Sequence, residues 1–251
     1  MRTLPFRFPS DGFTLEGELV LPDAPRLAVL LCHGIPSGRP PDPTDAGYAG
    51  LARELAALGI AAAWFDFRGA RRSPGEFSIE GWARDLDAAI GAVGEHAELS
   101  RLPRAICGSS AGGGVAIVVG ARRSDVAAVA TLASPASYTF GRLVQDREHF
   151  IAECRNSGII HDPAYPQDPE AWWSEFLESA PEDHVAKISP RPVLIIHGDA
   201  DDVVPYIHAE RLFAAATPPK ELVRISAGAH QLRRDARAVE ALADWLLHLP
   251  G

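Results

Sequence analysis

Lysine is nearly absent from this 251-residue chain: Lys187 and Lys220 stand alone, and arginine carries the rest of the positive charge. That bias is the one expected of a GC-rich bacterial genome. Cysteine is equally scarce. Cys32, Cys107 and Cys154 are odd in number and far apart, which excludes a disulfide framework. Cys32 and Cys107 lie in apolar runs, where a free thiol packs as a small hydrophobe. No apolar stretch approaches the ~20 residues needed to span a bilayer. The opening Met1-Arg-Thr-Leu-Pro-Phe has no continuous apolar run of the kind that targets export, so a cytoplasmic protein without membrane contact is expected. Positive charge is in deficit as well. A net charge of −9 excludes a general affinity for nucleic acid or anionic membrane, whose binders carry basic faces, and is read as solubility. There is no internal repeat and no low-complexity segment. The nine histidines show no ligand spacing and no G-x-G-x-x-G follows a strand, so neither a metal nor an organic cofactor is expected.

What is present is ordinary globular material. An apolar fraction of 47% can bury a sizeable core, and the length suits one domain over residues 1–251. Extended segments come first, at Arg7–Pro9 and Thr14–Leu21, separated by the turn Asp11-Gly12. Then strands and helices alternate. Strands are expected at Leu27–Cys32, Ile60–Phe67, Arg104–Cys107, Val126–Ala133, Val193–Ile196 and Leu222–Ile225. Helices are expected at Tyr48–Leu58, Ile79–Val93, from Ala111, and at Tyr206–Ala216 and Asp235–Leu247. Strands apolar on nearly every residue, interleaved with helices, predict an α/β fold with a mostly parallel sheet covered on both faces. In such sheets the ligand crevice lies at the carboxyl ends of the strands. One stretch breaks the alternation. Residues 135–190, proline-punctuated and rich in aromatics from Tyr138 to Phe176, read as a small helical cap inserted over that crevice.

Just past one strand end stands Gly108-Ser109-Ser110-Ala111-Gly112, a G-x-S-x-G with a strand before it and a helix after it. That context puts Ser110 on a strained turn with its Oγ at a helix N-terminus, where N–H groups and the helix dipole favour developing negative charge. Ser109 is expected to point away from the crevice. A serine hydroxyl needs an adjacent base. His230, on the loop after the last strand, meets that need in position and in order. Between them, Ile196-His197-Gly198-Asp199-Ala200-Asp201-Asp202 offers three carboxylates after another strand end, so the acid is open among them. His197 is expected to hold that turn rather than to transfer protons. A tetrahedral oxyanion needs two backbone donors. Ala111 N–H is one, and Ile35 N–H, in His33-Gly34-Ile35-Pro36 after an early strand, is the expected second.

With these motifs in hand, the sequence resembles the α/β-hydrolase superfamily over nearly its whole length, in particular bacterial single-domain esterases, feruloyl-esterase-like members and relatives of the serine peptidase catalytic domains. The acid motif H-G-x-x-D-x-x-V-P is matched by His197, Gly198, Asp201, Val204 and Pro205, and this spacing selects Asp201 over Asp199 and Asp202. The loop D-x-R-G-x-G-x-S-x-G is matched by Asp66, Arg68, Gly69, Ser73 and Gly75. It departs at Ala70 and at Arg71, where a small residue is replaced. Arg71 and Arg72 could meet an acidic substrate group, although solvation is the commoner fate of such a pair. The resemblance implies a sheet of about eight strands and two-step acyl transfer, with Ser110 as nucleophile, His230 as base and Asp201 as orienting acid. A small-molecule ester, small-to-medium or aryl in its acyl part, is the expected partner. A peptide or thioester substrate on the same triad, or a catalytically silent binding protein of this fold, are the alternatives.

Overall fold

Every side chain of β3 (Leu27–Cys32), β6 (Ala128–Leu132) and β7 (Val193–Gly198) is buried, as strands covered on both faces must be. The computed structural model describes residues 1–38, 42–141 and 146–249, so residues 142–145 of the expected insertion lie outside it. With β1 (Arg2–Ser10), β2 (Phe13–Leu21), β4 (Ile60–Phe65), β5 (Arg104–Ser109) and β8 (Lys220–Ile225), these strands form one eight-stranded sheet of order β1-β2-β4-β3-β5-β6-β7-β8. β2 runs antiparallel to β1 and to β4, and all pairings from β4 to β8 are parallel.

All strands but β1 lie within two residues of the expected bounds, and the differences at β1 and β4 each have a local reason. β1 is nine residues rather than three and pairs along its whole length with β2. Pro5 and Pro9 disguise it, but β1 is an edge strand, where proline is tolerated. β4 ends at Phe65 rather than Phe67. Asp66 still donates to Glu16 O at 2.9 Å, but the Phe67 N–H is turned to His33 Nε2 at 3.0 Å. The chain therefore leaves the sheet there.

The core has two layers. On one face α1 (Gly47–Ala57) and α7 (Ala236–Leu247) bury Leu51, Leu55, Leu242 and Leu246. On the other, α2 (Ile79–Glu95), α3 (Ala111–Arg122) and α6 (Ile207–Ala215) cover a cluster that includes Trp82, Phe65 and Phe67. Cys32 belongs to the second layer and Cys107 to the first, so the sheet separates them. Burial pushes the Cys107 thiol up to about 12, and both act as packing. The expected strands, helices and parallel sheet are those of an α/β-hydrolase fold.

Between β6 and β7 the chain builds α4 (Arg147–Asn156), α5 (Pro169–Glu178) and two short 3-10 turns, Pro181–Asp183 and Val185–Ile188. Asp146 accepts from the His149 N–H and Asp168 from the Ala171 N–H, capping both helices, and Pro169 opens the second. Of the aromatic side chains of this segment, Tyr138, Phe150, Trp172 and Phe176 are buried. Phe176 stacks on Tyr138 at 4.6 Å and lies 4.5 Å from Phe150, and Trp172 donates its indole N–H to Phe77 O at 2.9 Å. They fasten the insertion to α2 and the loop before it. Truncating one such ring to alanine costs roughly 3–5 kcal/mol. No helix among the described residues is long and apolar enough to cross a membrane.

Candidate active site

Between β5 and α3 a single residue makes the turn. Ser110 sits at φ 53°, ψ −128°, in the left-handed half of the map, at a cost of order 1–3 kcal/mol for a non-glycine residue. Its neighbours hold it there. The Ser110 N–H donates to Leu132 O at the end of β6 (2.9 Å), and the Gly113 N–H donates to Ser110 O (2.9 Å). The first turn of α3 packs directly against the end of β3: a Cβ on Gly112 would lie 2.2 Å from His33 O. Only glycine fits.

The loop after β3 is fixed by a histidine that does no chemistry. His33 Nδ1–H donates to Gly34 O at 2.7 Å while Nε2 accepts from the Phe67 N–H, which defines a neutral imidazole. Burial, reinforced by the Arg71 charge, pushes its pKa down to about 4. This brace sets Gly34 against the serine. A Cβ there would fall 2.7 Å from Ser110 Cβ and 3.2 Å from Ser110 Oγ. Ile35 follows on the wall of the same cavity as Ser110, and Ala111 opens α3 directly after it.

Beyond β7 the three carboxylates separate. Asp201 Oδ1 accepts the N–H groups of Val203 (2.9 Å) and Val204 (2.8 Å), and Oδ2 accepts from His230 Nδ1–H at 2.8 Å. His197 donates its Nε2–H to Val204 O at 2.8 Å and lies 3.4 Å from Asp201 Oδ2, so it holds the turn. Burial pushes the Asp201 carboxyl up, but the hydrogen bonds from His197 and His230 outweigh it and hold the group well below the usual carboxylate range. Asp199 turns to Arg224 on β8 (2.8 Å) and caps the Ala227 N–H. Asp202 is exposed. Of the three, Asp201 alone meets His230. The bond fixes the imidazole with its proton on Nδ1, leaving Nε2 a lone pair.

Ser110 and His230 line one cavity of about 590 Å³ together with Ile35, Tyr48 and Arg71. Two expectations are corrected here. Ser109 does not point away from the crevice but lines the same cavity. Arg71 and Arg72 are not merely solvated: Arg71 Nη1 and Arg72 Nε grip the two oxygens of buried Asp66, at 3.1 and 3.2 Å. The sequence also concealed part of the wall. Arg233 pairs with Asp45 through Nη1 and Nη2 and lies 5.4 Å from the centre of the Tyr48 ring, and Arg234 pairs with Asp42 at 2.8 Å. Burial pushes the Tyr48 phenol up to about 12, so it stays protonated. These partners are some 190 residues apart and share no motif, so only folding reveals them. Of the described insertion, Ser157 reaches the cavity.

Residues 23–157, more than half of the chain, match the family model described as serine aminopeptidase, S33. Among curated proteins the chain is 31% identical over 170 residues to the uncharacterized protein YfhR of Escherichia coli O157:H7, covering 66% of this chain and 51% of that one. The chain thus spans about half the length of that relative. Among solved structures it resembles the α/β-hydrolase GrgF from Penicillium sp. sh18, with TM-score 0.77, 20% identity and coverage of 99% and 98%. It also resembles Est1E from Butyrivibrio proteoclasticus, solved with ferulic acid bound, with TM-score 0.71, 20% identity and coverage of 97% and 98%. At such identity these structures show the fold. The match to the family model extends that to ancestry: the chain belongs to the serine aminopeptidase S33 family of the α/β-hydrolase superfamily.

Proposed function

We propose that this protein is a serine hydrolase that cleaves small carboxylic esters through an acyl-enzyme. The observation that carries the reading is one constellation: Ser110 on a left-handed turn, in one cavity with a His230 whose Nδ1–H is held by buried Asp201 at 2.8 Å. In this mechanism His230 Nε2 takes the Ser110 proton as Oγ attacks the ester carbonyl. Negative charge develops on the carbonyl oxygen, and the Ile35 and Ala111 N–H groups receive it. His230 then protonates the departing alcohol, water repeats the sequence on the acyl-serine, and the free acid leaves. No step in this scheme calls for a cofactor.

The family description raises a peptidase reading, and the cavity argues against an aminopeptidase. An α-ammonium group needs an uncommitted carboxylate, yet Asp42 and Asp45 are each paired with an arginine of the same wall. A cavity of about 590 Å³ suits a small-to-medium or aryl acyl group rather than a lipid chain. Three buried free cysteines suit a reducing compartment, so a cytoplasmic location is part of the proposal. A panel of acyl and aryl esters, run beside peptide and thioester substrates, tests the reading. Ester hydrolysis that Ser110→Ala removes by several orders of magnitude is the expected result. Activity confined to peptides, or untouched by Ser110→Ala, would overturn it.

A further inference from the structure

One cavity residue sits where its backbone gains nothing. Five non-glycine residues have positive φ among the described residues: Asp11, Arg71, Ser110, Ala133 and Ala227. Asp11 is in the tight turn between β1 and β2, Ser110 makes the elbow, and the two alanines carry almost no side chain. Arg71, at φ 48°, alone combines that conformation with a long side chain. Its own loop uses glycine at the other left-handed positions, Gly69 (φ 76°) and Gly75 (φ 93°). Glycine would be the unstrained choice at position 71 too. A strained residue that persists beside a reaction centre points to use of its side chain.

That side chain is not needed for its one anchoring contact. Asp66 is buried, and a buried carboxylate needs a counter-charge. Arg72 supplies one at 3.2 Å while lying 5.0 Å from the Trp64 ring centre, outside the cavity wall. Arg71 is therefore a second cation on one carboxylate. The contact at 3.1 Å engages a single N–H of the five on its guanidinium, and half of the side chain is exposed. The other arginines of the wall differ in this respect. Arg233 is closed in a two-point pair with Asp45, and Arg234 is matched to Asp42. Among the described residues of the wall, the surplus positive charge thus gathers at Arg71, in one cavity with Ser110 and His230. Behind the wall, burial first and the Arg71 charge second push the His33 pKa down to about 4.

We infer that Arg71 is a specificity determinant that docks a carboxylate carried by the ester substrate. The assignment rests on the ester-hydrolase reading above. The natural substrate is then a half-ester or an ester of a hydroxy acid, with one ionised carboxylate beyond the scissile bond. A planar guanidinium with free N–H groups matches such a carboxylate in two-point geometry.

Matched substrate pairs test this. On the acyl side, para-nitrophenyl pentanoate is set against the mono-para-nitrophenyl ester of glutaric acid. On the alcohol side, phenyl butyrate is set against para-butyryloxybenzoate. Arg71→Gln should raise KM for the preferred anionic ester about tenfold or more, the scale of one charged hydrogen-bonded contact, with kcat and both neutral esters within about threefold. Arg71→Lys should keep part of the preference, and added salt should erode it in the wild type. Arg72→Gln should leave the preference in place. Arg71→Gly relieves the positive φ, so it should fold at least as well and show the same loss of preference. An Arg71→Gln protein that loses charged and neutral esters alike, or neither, overturns the role of Arg71 and leaves the hydrolase reading standing. A wild type that turns over no ester of either pair overturns that reading, and this inference falls with it.

Discussion

At the scale of single residues, Asp201 is defined by what occupies each oxygen. Two loop amides fill Oδ1 and His230 fills Oδ2, so the carboxylate has one orientation. In Asp201→Asn the amide oxygen would keep the loop contacts, and the NH₂ would face His230 Nδ1. That forces the proton to Nε2 and removes the base. The expected loss is roughly 10³–10⁴-fold in kcat with the fold retained. Asp199→Asn and Asp202→Asn should cost about tenfold or less, since the first braces β8 and the second faces solvent. Kinetics of the three variants decide the matter: a near-normal Asp201→Asn beside a crippled neighbour would move the acid to that neighbour.

Among the elements, the site is made where strand ends meet, and the loop after β3 is seated closely on the elbow after β5. Gly34→Ala would drive a methyl group to 2.7 Å from Ser110 Cβ and 3.0 Å from Ser109 O. Overpacking of this kind costs about 1–3 kcal/mol, or a few degrees of Tm. The rate of ester hydrolysis should fall at least about tenfold, the scale of misplacing the reacting groups. A Gly34→Ala enzyme of full activity would show that the loop is not seated on the serine. Much of this arrangement is legible before folding. The alternation of buried runs yields β3 and its end at Cys32, and the glycines around Ser110 mark the elbow because no side chain can stand there. The choice of Asp201 among three carboxylates is what the resemblance to the α/β-hydrolase acid motif implies, and in the structure that residue alone of the three meets His230. Other features leave no trace in the sequence. The length of β1 is masked by prolines that only an edge strand tolerates. The bend at Phe67 depends on a hydrogen bond to His33, and the wall of Tyr48, Arg233 and Asp45 on contacts between chain ends. At position 71 the departure from the small residue of the resembled loop is legible, but the left-handed backbone that the arginine must adopt there is not.

For the whole molecule, acid is the expected weakness. His33 is fully buried, and its pKa falls from an ordinary 6.5 to about 4; His208, buried against Phe140, falls to about 4 as well. Below pH 6.5 the unfolded chain binds protons that the folded protein refuses, so stability is full above that pH and declines towards pH 4. For His33 alone the decline amounts to about 3 kcal/mol. Asp201 acts in the same direction lower down: its stabilisation is present above the ordinary carboxylate pKa near 4 and is lost as pH falls through the depressed value. Tm should therefore drop by about 10–20 °C between pH 7 and pH 4.5, and the imidazoles of His33 and His208 should remain neutral at pH 5 by NMR. A flat Tm, or nine rings all titrating near 6.5, would refute this. The central claim, that Ser110 is a nucleophile made by its fold, is tested most directly by labelling the native protein with a fluorophosphonate and mapping the adduct by mass spectrometry. One adduct on Ser110 is expected, abolished by Ser110→Ala and strongly slowed by His230→Ala. An adduct on Ser109 or elsewhere, or a native protein that takes no label, would contradict it.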